Sequence, residues 1–175
     1  MPTFTPFKPS TSSPTDLTDA LTQPGSGINI VPSSVSFSGG TVTTFSSGSR
    51  ETGFSASTYD GSIDGLGIDA GILLTSGDGT PPESNTSTGY SGTFESDSGG
   101  EPDLQQVADS AFSGSGDVRD FTTLEFSFTV DNPSAQGVQF DLVFGSDEYP
   151  EFQDSSFVDV AAAFVNGDNQ ALFNN

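Results

Sequence analysis

FTTLEFSFTV occupies residues 121–130, and VQFDLVF follows at 138–144. In the first run Leu124, Phe126, Phe128 and Val130 alternate with Glu125, Ser127 and Thr129. In the second, Val138, Phe140, Leu142 and Phe144 keep the same beat. A period of two sends one set of side chains to a buried face and the other to water. Between them DNPSAQG is turn material. The two runs predict an antiparallel hairpin with one wet face.

Outward from this hairpin, strand patterns dominate. INIVPSSVSFSGG alternates Ile28 with Ile30 and Val35 with Phe37, and Pro32 breaks the run. TVTTFSSGS and ETGFSAST read as further short strands, and GIDAGILLTSG as a buried strand around Ile72 to Thr75. SFVDVAAAFVNGDNQALF gives one more strand, a turn at Asn166-Gly167, and the start of another. The long, apolar-poor GTPPESNTSTGYSGTFESDSGGEP reads as a surface loop.

Only two stretches have helical spacing. Leu17, Ala20 and Leu21 fall at i, i+3 and i+4, with Thr15 or Asp16 as cap and Pro24-Gly25 as stop. In PDLQQVADS, Pro102 suits a first helical position, with Leu104 and Val107 on one face. The expected fold is mainly β: an antiparallel, jelly-roll-like sandwich with two short helices. Residues 1–14, rich in Pro, Ser and Thr, read as a flexible arm, and 15–175 as the sandwich domain. The sequence stops at QALFNN as a strand begins. The sandwich is therefore expected to lack its last strands, or to have its open edge completed by another chain.

Charge narrows the function. Asp and Glu number 24 against 3 Lys and Arg, a formal net charge of -21 over 175 residues. Most carboxylates cannot find a cation within the chain. Such a field argues against nucleic acid or an anionic membrane as partner. No stretch approaches the roughly 18 apolar residues of a membrane span, so no membrane insertion is expected. His and Cys are both absent, which removes the usual general base, thiol chemistry and zinc ligation. Any bound metal would be held by oxygen, as calcium or magnesium is. The sixteen Phe argue for a folded core despite only 31% hydrophobic residues.

The densest acidic stretch is FGSDEYPEFQDSSFVDV, residues 144–160, which carries Asp147, Glu148, Glu151, Asp154 and Asp159 with no positive charge. It joins two expected strands, so a loop there could wrap an ion. Pro150 would stiffen it, and Tyr149, Phe152 and Phe157 would pin it. Calcium takes six to eight oxygens, and a divalent cation relieves the repulsion of bunched carboxylates. A solvated acidic loop held by its aromatics is the plainer alternative. Paired carboxylates can also hydrolyse glycosides, but Trp is absent and Tyr numbers only 3, which leaves a sugar cleft without its platforms. Two weaker acidic stretches remain. Asp60, Asp64 and Asp69 lie in YDGSIDGLGIDAG, which lacks EF-hand spacing and reads as a turn into a strand. Glu95, Asp97, Glu101 and Asp103 precede or open the second helix, where acids suit the helix dipole.

Taken together, DLTDALTQPGSGINIVPSSVSFSGG, GIDAGILLTSGD, PDLQQVA, TLEFSFTV and FDLVFGSDEYPEFQDSSFVDVAAAFVNG resemble, in this order, the choice-of-anchor L domain. The resemblance covers about residues 15 to 175. Its motif residues here are Asp147, Glu148, Tyr149, Pro150, Glu151 and Phe152, then Phe157 and Asp159. It implies a bacterial domain at the cell surface or outside the cell, in adhesion or matrix formation, with no characterised reaction. Asp154 and Ser155 stand where members often carry Cys, and members continue past the position of Asn175 with further strands. The expected function is a non-enzymatic, calcium-stabilised extracellular or cell-surface domain in adhesion, matrix or filament assembly. The alternative is a carbohydrate-binding or glycoside-hydrolysing module using the 147–159 loop. Expected partners are calcium, the chain itself through edge-strand addition, and surface glycans or other surface proteins. The N-terminus lacks the apolar core of a signal peptide, so export of the type I kind, through a C-terminal signal, is expected.

Overall fold

The partner of the 121–130 run is the stretch around Pro32. In the computed structural model the run divides into β9 (Thr123–Glu125) and β10 (Phe128–Val130). β10 pairs antiparallel with β2 (Ile28–Ile30), setting Phe128 opposite Ile30 and Val130 opposite Ile28. β9 pairs with β3 (Ser36–Ser38), setting Leu124 opposite Phe37. Residues 31–35 therefore lie opposite only Phe126 and Ser127. The surplus is taken up by a 3-10 turn over Pro32–Ser34, where proline has no N–H for a ladder. Ser127 spans the break: its N–H donates to Ser34 Oγ at 2.7 Å, and its carbonyl accepts from Val31 N at 2.8 Å. Both backbone groups of the interrupted strand are thus satisfied.

The structure describes residues 2–39, 41–46, 49–62, 65–77, 79–80, 93–94, 100–112, 114, 116–146, 152 and 159–172. For 41–46, 49–54 and 93–94 the strand pairing alone is described. The chain divides into two compact units. The first comprises residues 1–84, 91–96 and 120–141, and the second 85–90, 97–119 and 142–175.

In the first unit, β1 (Thr3–Pro6), β6 (Ala56–Asp60) and β7 (Ala70–Leu74) form an antiparallel sheet in the order β1-β6-β7. β4 (Thr41–Ser46), β5 (Ser49–Phe54) and β8 (Thr93–Phe94) form a second, in the order β5-β4-β8. Helix α1 (Pro14–Leu21) opens on a reciprocal cap. Ser13 Oγ accepts from Thr15 N, and the Asp16 carboxylate accepts from Ser13 N at 2.9 Å. The start lies before the expected Thr15 or Asp16 because Pro14 fits the first turn, where its missing N–H costs nothing. The core gathers Phe7, Leu17 and Ala56, all buried, with Phe37, Ile72 and Leu124 packed around them. At the end of β7, Thr75 N donates to Ser55 O at 2.9 Å and Thr75 O accepts from Thr122 Oγ1 at 2.7 Å.

Two expectations change. The Pro/Ser/Thr-rich start, read as an arm over residues 1–14, supplies edge strand β1 and the core residue Phe7. Phe7 outweighs the polar composition around it, because a buried Phe contributes roughly 1.5–3 kcal/mol, and half-buried Phe4 adds to it. The second change concerns Val138–Phe144. These residues form no described strand, and Val138, Phe140, Leu142 and Phe144 are exposed. The expected hairpin is not formed among the described residues. Alternation reports a strand's two faces and not the identity of its partner. The coarser expectation holds, since among the described residues every strand pairing is antiparallel and two α-helices accompany the strands.

The second unit holds α2 (Pro102–Ala111) and a hairpin of β11 (Phe164–Val165) and β12 (Asp168–Asn169). Pro102 stands at the first helical position, as expected. Glu101 caps the helix, its carboxylate accepting from Leu104 N at 2.7 Å, and Asp103 lies in the first turn. Both acids thus sit at the positive end of the helix dipole. Gln105 ties the following segment down: Oε1 accepts from Val118 N at 2.7 Å and Nε2 donates to Gly116 O at 3.2 Å.

Candidate cation-binding loop

The acidic stretch is closed at its base. The Ser146 hydroxyl donates to a carboxylate oxygen of Asp159, joining residues thirteen apart in the chain. Both residues are exposed. A carboxylate that accepts such a bond keeps lone pairs free for a second partner, since its two oxygens offer about four acceptor sites. Asp159 is the one predicted site residue that the structure places. Asp147, Glu148, Glu151 and Asp154 lie outside the described residues, as do Tyr149, Pro150 and Phe157. Phe152 is described and exposed, so this ring is not among the buried ones. Ser146 was missed from sequence. Its signal is its place directly before the first carboxylate, where a short side chain can reach back across the base of a loop. Among the described residues, no three acidic side chains are grouped to hold a metal.

The weaker acidic stretch sits at the edge of the first sheet. Asp60 ends β6 opposite Ala70, and Gly61 N donates to Asp69 O at 2.9 Å. That is the turn into a strand expected for it. Asp64 lies outside the described residues. Beside the turn, Tyr59 lies opposite both Phe4 and Gly71, with the Phe4 and Tyr59 ring centroids 6.1 Å apart. Burial raises the Tyr59 phenol above its ordinary range, and the negative charge of Asp69 adds to the effect.

One other concavity bears on ligand binding. A polar groove of about 470 Å³ runs between the end of α1 and the start of β2. Asp19, Thr22, Gln23, Asn29 and Asp131 line it, and among the described residues no aromatic ring does. It has the hydrogen-bonding groups of a sugar site without the flat apolar face on which a sugar ring would stack.

The whole sequence from residue 8 to residue 175 matches the model of the choice-of-anchor L domain family. The chain belongs to this family. No curated protein and no solved structure gives a significant match. Choice-of-anchor L domains are associated with bacterial surface and secreted proteins, and the present chain is one such domain. No helix among its described residues is long and apolar enough to cross a membrane. The match takes in the 144–160 stretch, so the acidic loop is part of the family's domain and not an appendage to it.

Proposed function

We propose that this choice-of-anchor L domain is a non-enzymatic extracellular or cell-surface module. Calcium held in its 147–159 loop stabilises it for adhesion, matrix or filament assembly. The observation that carries this reading is the Ser146–Asp159 hydrogen bond at the base of a segment that also contains Asp147, Glu148, Glu151 and Asp154. That segment carries five carboxylates and no Lys or Arg. In a chain of net charge -21 with three cations, an external divalent ion is the most effective source of relief. The residue inventory favours a binding role: His and Cys are absent, and with no Trp and only 3 Tyr a paired-carboxylate site would lack the aromatic platforms of a sugar cleft.

Thermal unfolding under calcium titration tests the proposal. A ligand at 100 times its dissociation constant stabilises the native state by about 2.7 kcal/mol. The melting temperature should climb with calcium and saturate, well beyond the effect of sodium at equal ionic strength. Glu151→Ala combined with Asp154→Ala should remove that difference. An unchanged melting temperature at millimolar calcium would rule the site out.

A further inference from the structure

We propose that Asn166 is a self-modifying site, at which the chain converts its own asparagine to aspartate and isoaspartate and so opens the β11–β12 hairpin. Val165 lies opposite Asp168, leaving Asn166 and Gly167 as a two-residue loop. Both have positive φ, 53° for Asn166 and 88° for Gly167, the left-handed pair of a type I′ turn. Both are exposed, and the Asn166 side chain has no hydrogen-bond partner among the described residues. Gly167 carries no Cβ to obstruct its own backbone nitrogen, and that nitrogen lies outside the paired ladder.

The chemistry needs only water. The Gly167 nitrogen gives up its proton and attacks Cγ of Asn166. The N–Cγ bond forms, the Cγ–Nδ2 bond breaks, and Nδ2 leaves as ammonia with the added proton. Water then opens the cyclic imide at either carbonyl. One opening gives aspartate. The other gives isoaspartate, which routes the backbone through the former side chain.

The other described asparagines are protected, each for a different reason. Asn132 precedes Pro133, which has no N–H with which to attack. Asn29 is paired within β2 and precedes the β-branched Ile30. Asn169 has its side-chain oxygen held by Ala171 N at 3.0 Å and Ala163 N at 3.3 Å. Asn166 alone combines a glycine successor, exposure and an unheld amide. Isoaspartate lengthens the loop by one backbone carbon, and a two-residue turn cannot absorb this without losing register. Either product also adds a carboxylate two residues before Asp168 in a chain already at -21.

The test is incubation of the full chain at mildly alkaline pH, followed by peptide mass spectrometry and an isoaspartate assay. The expected result is loss of the amide at Asn166 ahead of Asn29, Asn132 and Asn169. Conversion should slow at neutral pH, because the attacking nitrogen must lose its proton. Asn166→Asp should release no ammonia from this peptide. An Asn166 amide that survives while Asn169 converts, or conversion equal at all four sites, would overturn the proposal.

Discussion

Phe7 packs against Phe37 with ring centroids 4.6 Å apart and ring planes at 55°, a tilted contact between the start of the chain and β3. Phe7 N also donates to Ala56 O at 2.9 Å, which fixes the backbone beneath the ring. The ring contact and the hydrogen bond together bring the first residues into the core of the first unit.

Phe7→Ala is therefore expected to cost about 3–5 kcal/mol, the range for a buried Phe truncated in a core. Removal of residues 1–7 should cost at least as much, since β1 goes with the ring. Urea unfolding monitored by circular dichroism measures both. A midpoint unchanged in either variant would return this segment to the status of an arm.

Gly79 has no room for a side chain. A Cβ added there would lie 2.6 Å from the carbonyl carbon of Ala56 and 2.7 Å from its nitrogen, both backbone atoms. Gly79→Ala should destabilise by about 1–3 kcal/mol, the usual cost of overpacking. A Cβ added at Gly25 would meet no such atoms, but its φ of 80° makes it a strain control and not a neutral one. Equal melting temperatures for Gly79→Ala and the parent chain would refute the contact.

Gln105 holds residues 116–118 against α2 through both ends of its amide. Gln105→Ala removes both bonds, together with the one from Nε2 to Asp109 Oδ1 at 2.9 Å, at roughly 0.5–1.5 kcal/mol each. Amide exchange at Val118 should accelerate markedly, with smaller effects at the helix's own amides. Gln105→Glu keeps the acceptor for Val118 N, loses the donors to Gly116 and Asp109, and sets a second carboxylate beside Asp109. It should restore protection at Val118 alone, and failure to do so would show that the acceptor is not what protects that amide.

Tyr59 makes the first unit sensitive to alkali. Its phenol is raised above 10.0, first by burial and then by Asp69. The folded state thus holds the proton more tightly than the unfolded chain. The resulting stability is fully present below about pH 10 and is lost as pH rises through the folded-state value. Tyr59→Phe should flatten the fall in stability above that pH, and Asp69→Asn should flatten it partly. Parallel alkaline unfolding curves for Tyr59→Phe and the parent would refute the coupling.

How much of this was legible depended on whether the signal was local. Pro102 marked the second helix because a proline at the first turn is tolerated by one missing N–H, a property of the residue itself. Ile28/Ile30 and Phe37 on either side of Pro32 similarly announced two strands and a break. The partner of Leu124 and Val130 was not legible, because period-two alternation is the same whether the facing strand is 138–144 or 28–38. Phe7 was hidden by its polar neighbours, since composition averages over a window and one buried ring does not move the mean. In the candidate loop, the carboxylates were plain from sequence, while the closing bond from Ser146 depends on how far the chain turns between residues 146 and 159.

The Ser34–Ser127 link has a mechanical consequence. β2 and β10 begin their pairing at the same end, Ile28 opposite Val130, so a pull on the flanking chain peels them apart one residue pair at a time. A peeling ladder resists weakly, because only one pair is loaded at any moment. The peel then meets the hydroxyl of Ser34, bonded to Ser127 N where the ladder lapses, before it can reach β3 and β9. The interruption at Pro32 thereby splits one long zipper into two, with a separate catch between them. Single-molecule pulling should resolve it as two extension steps, merging into one in Ser34→Ala.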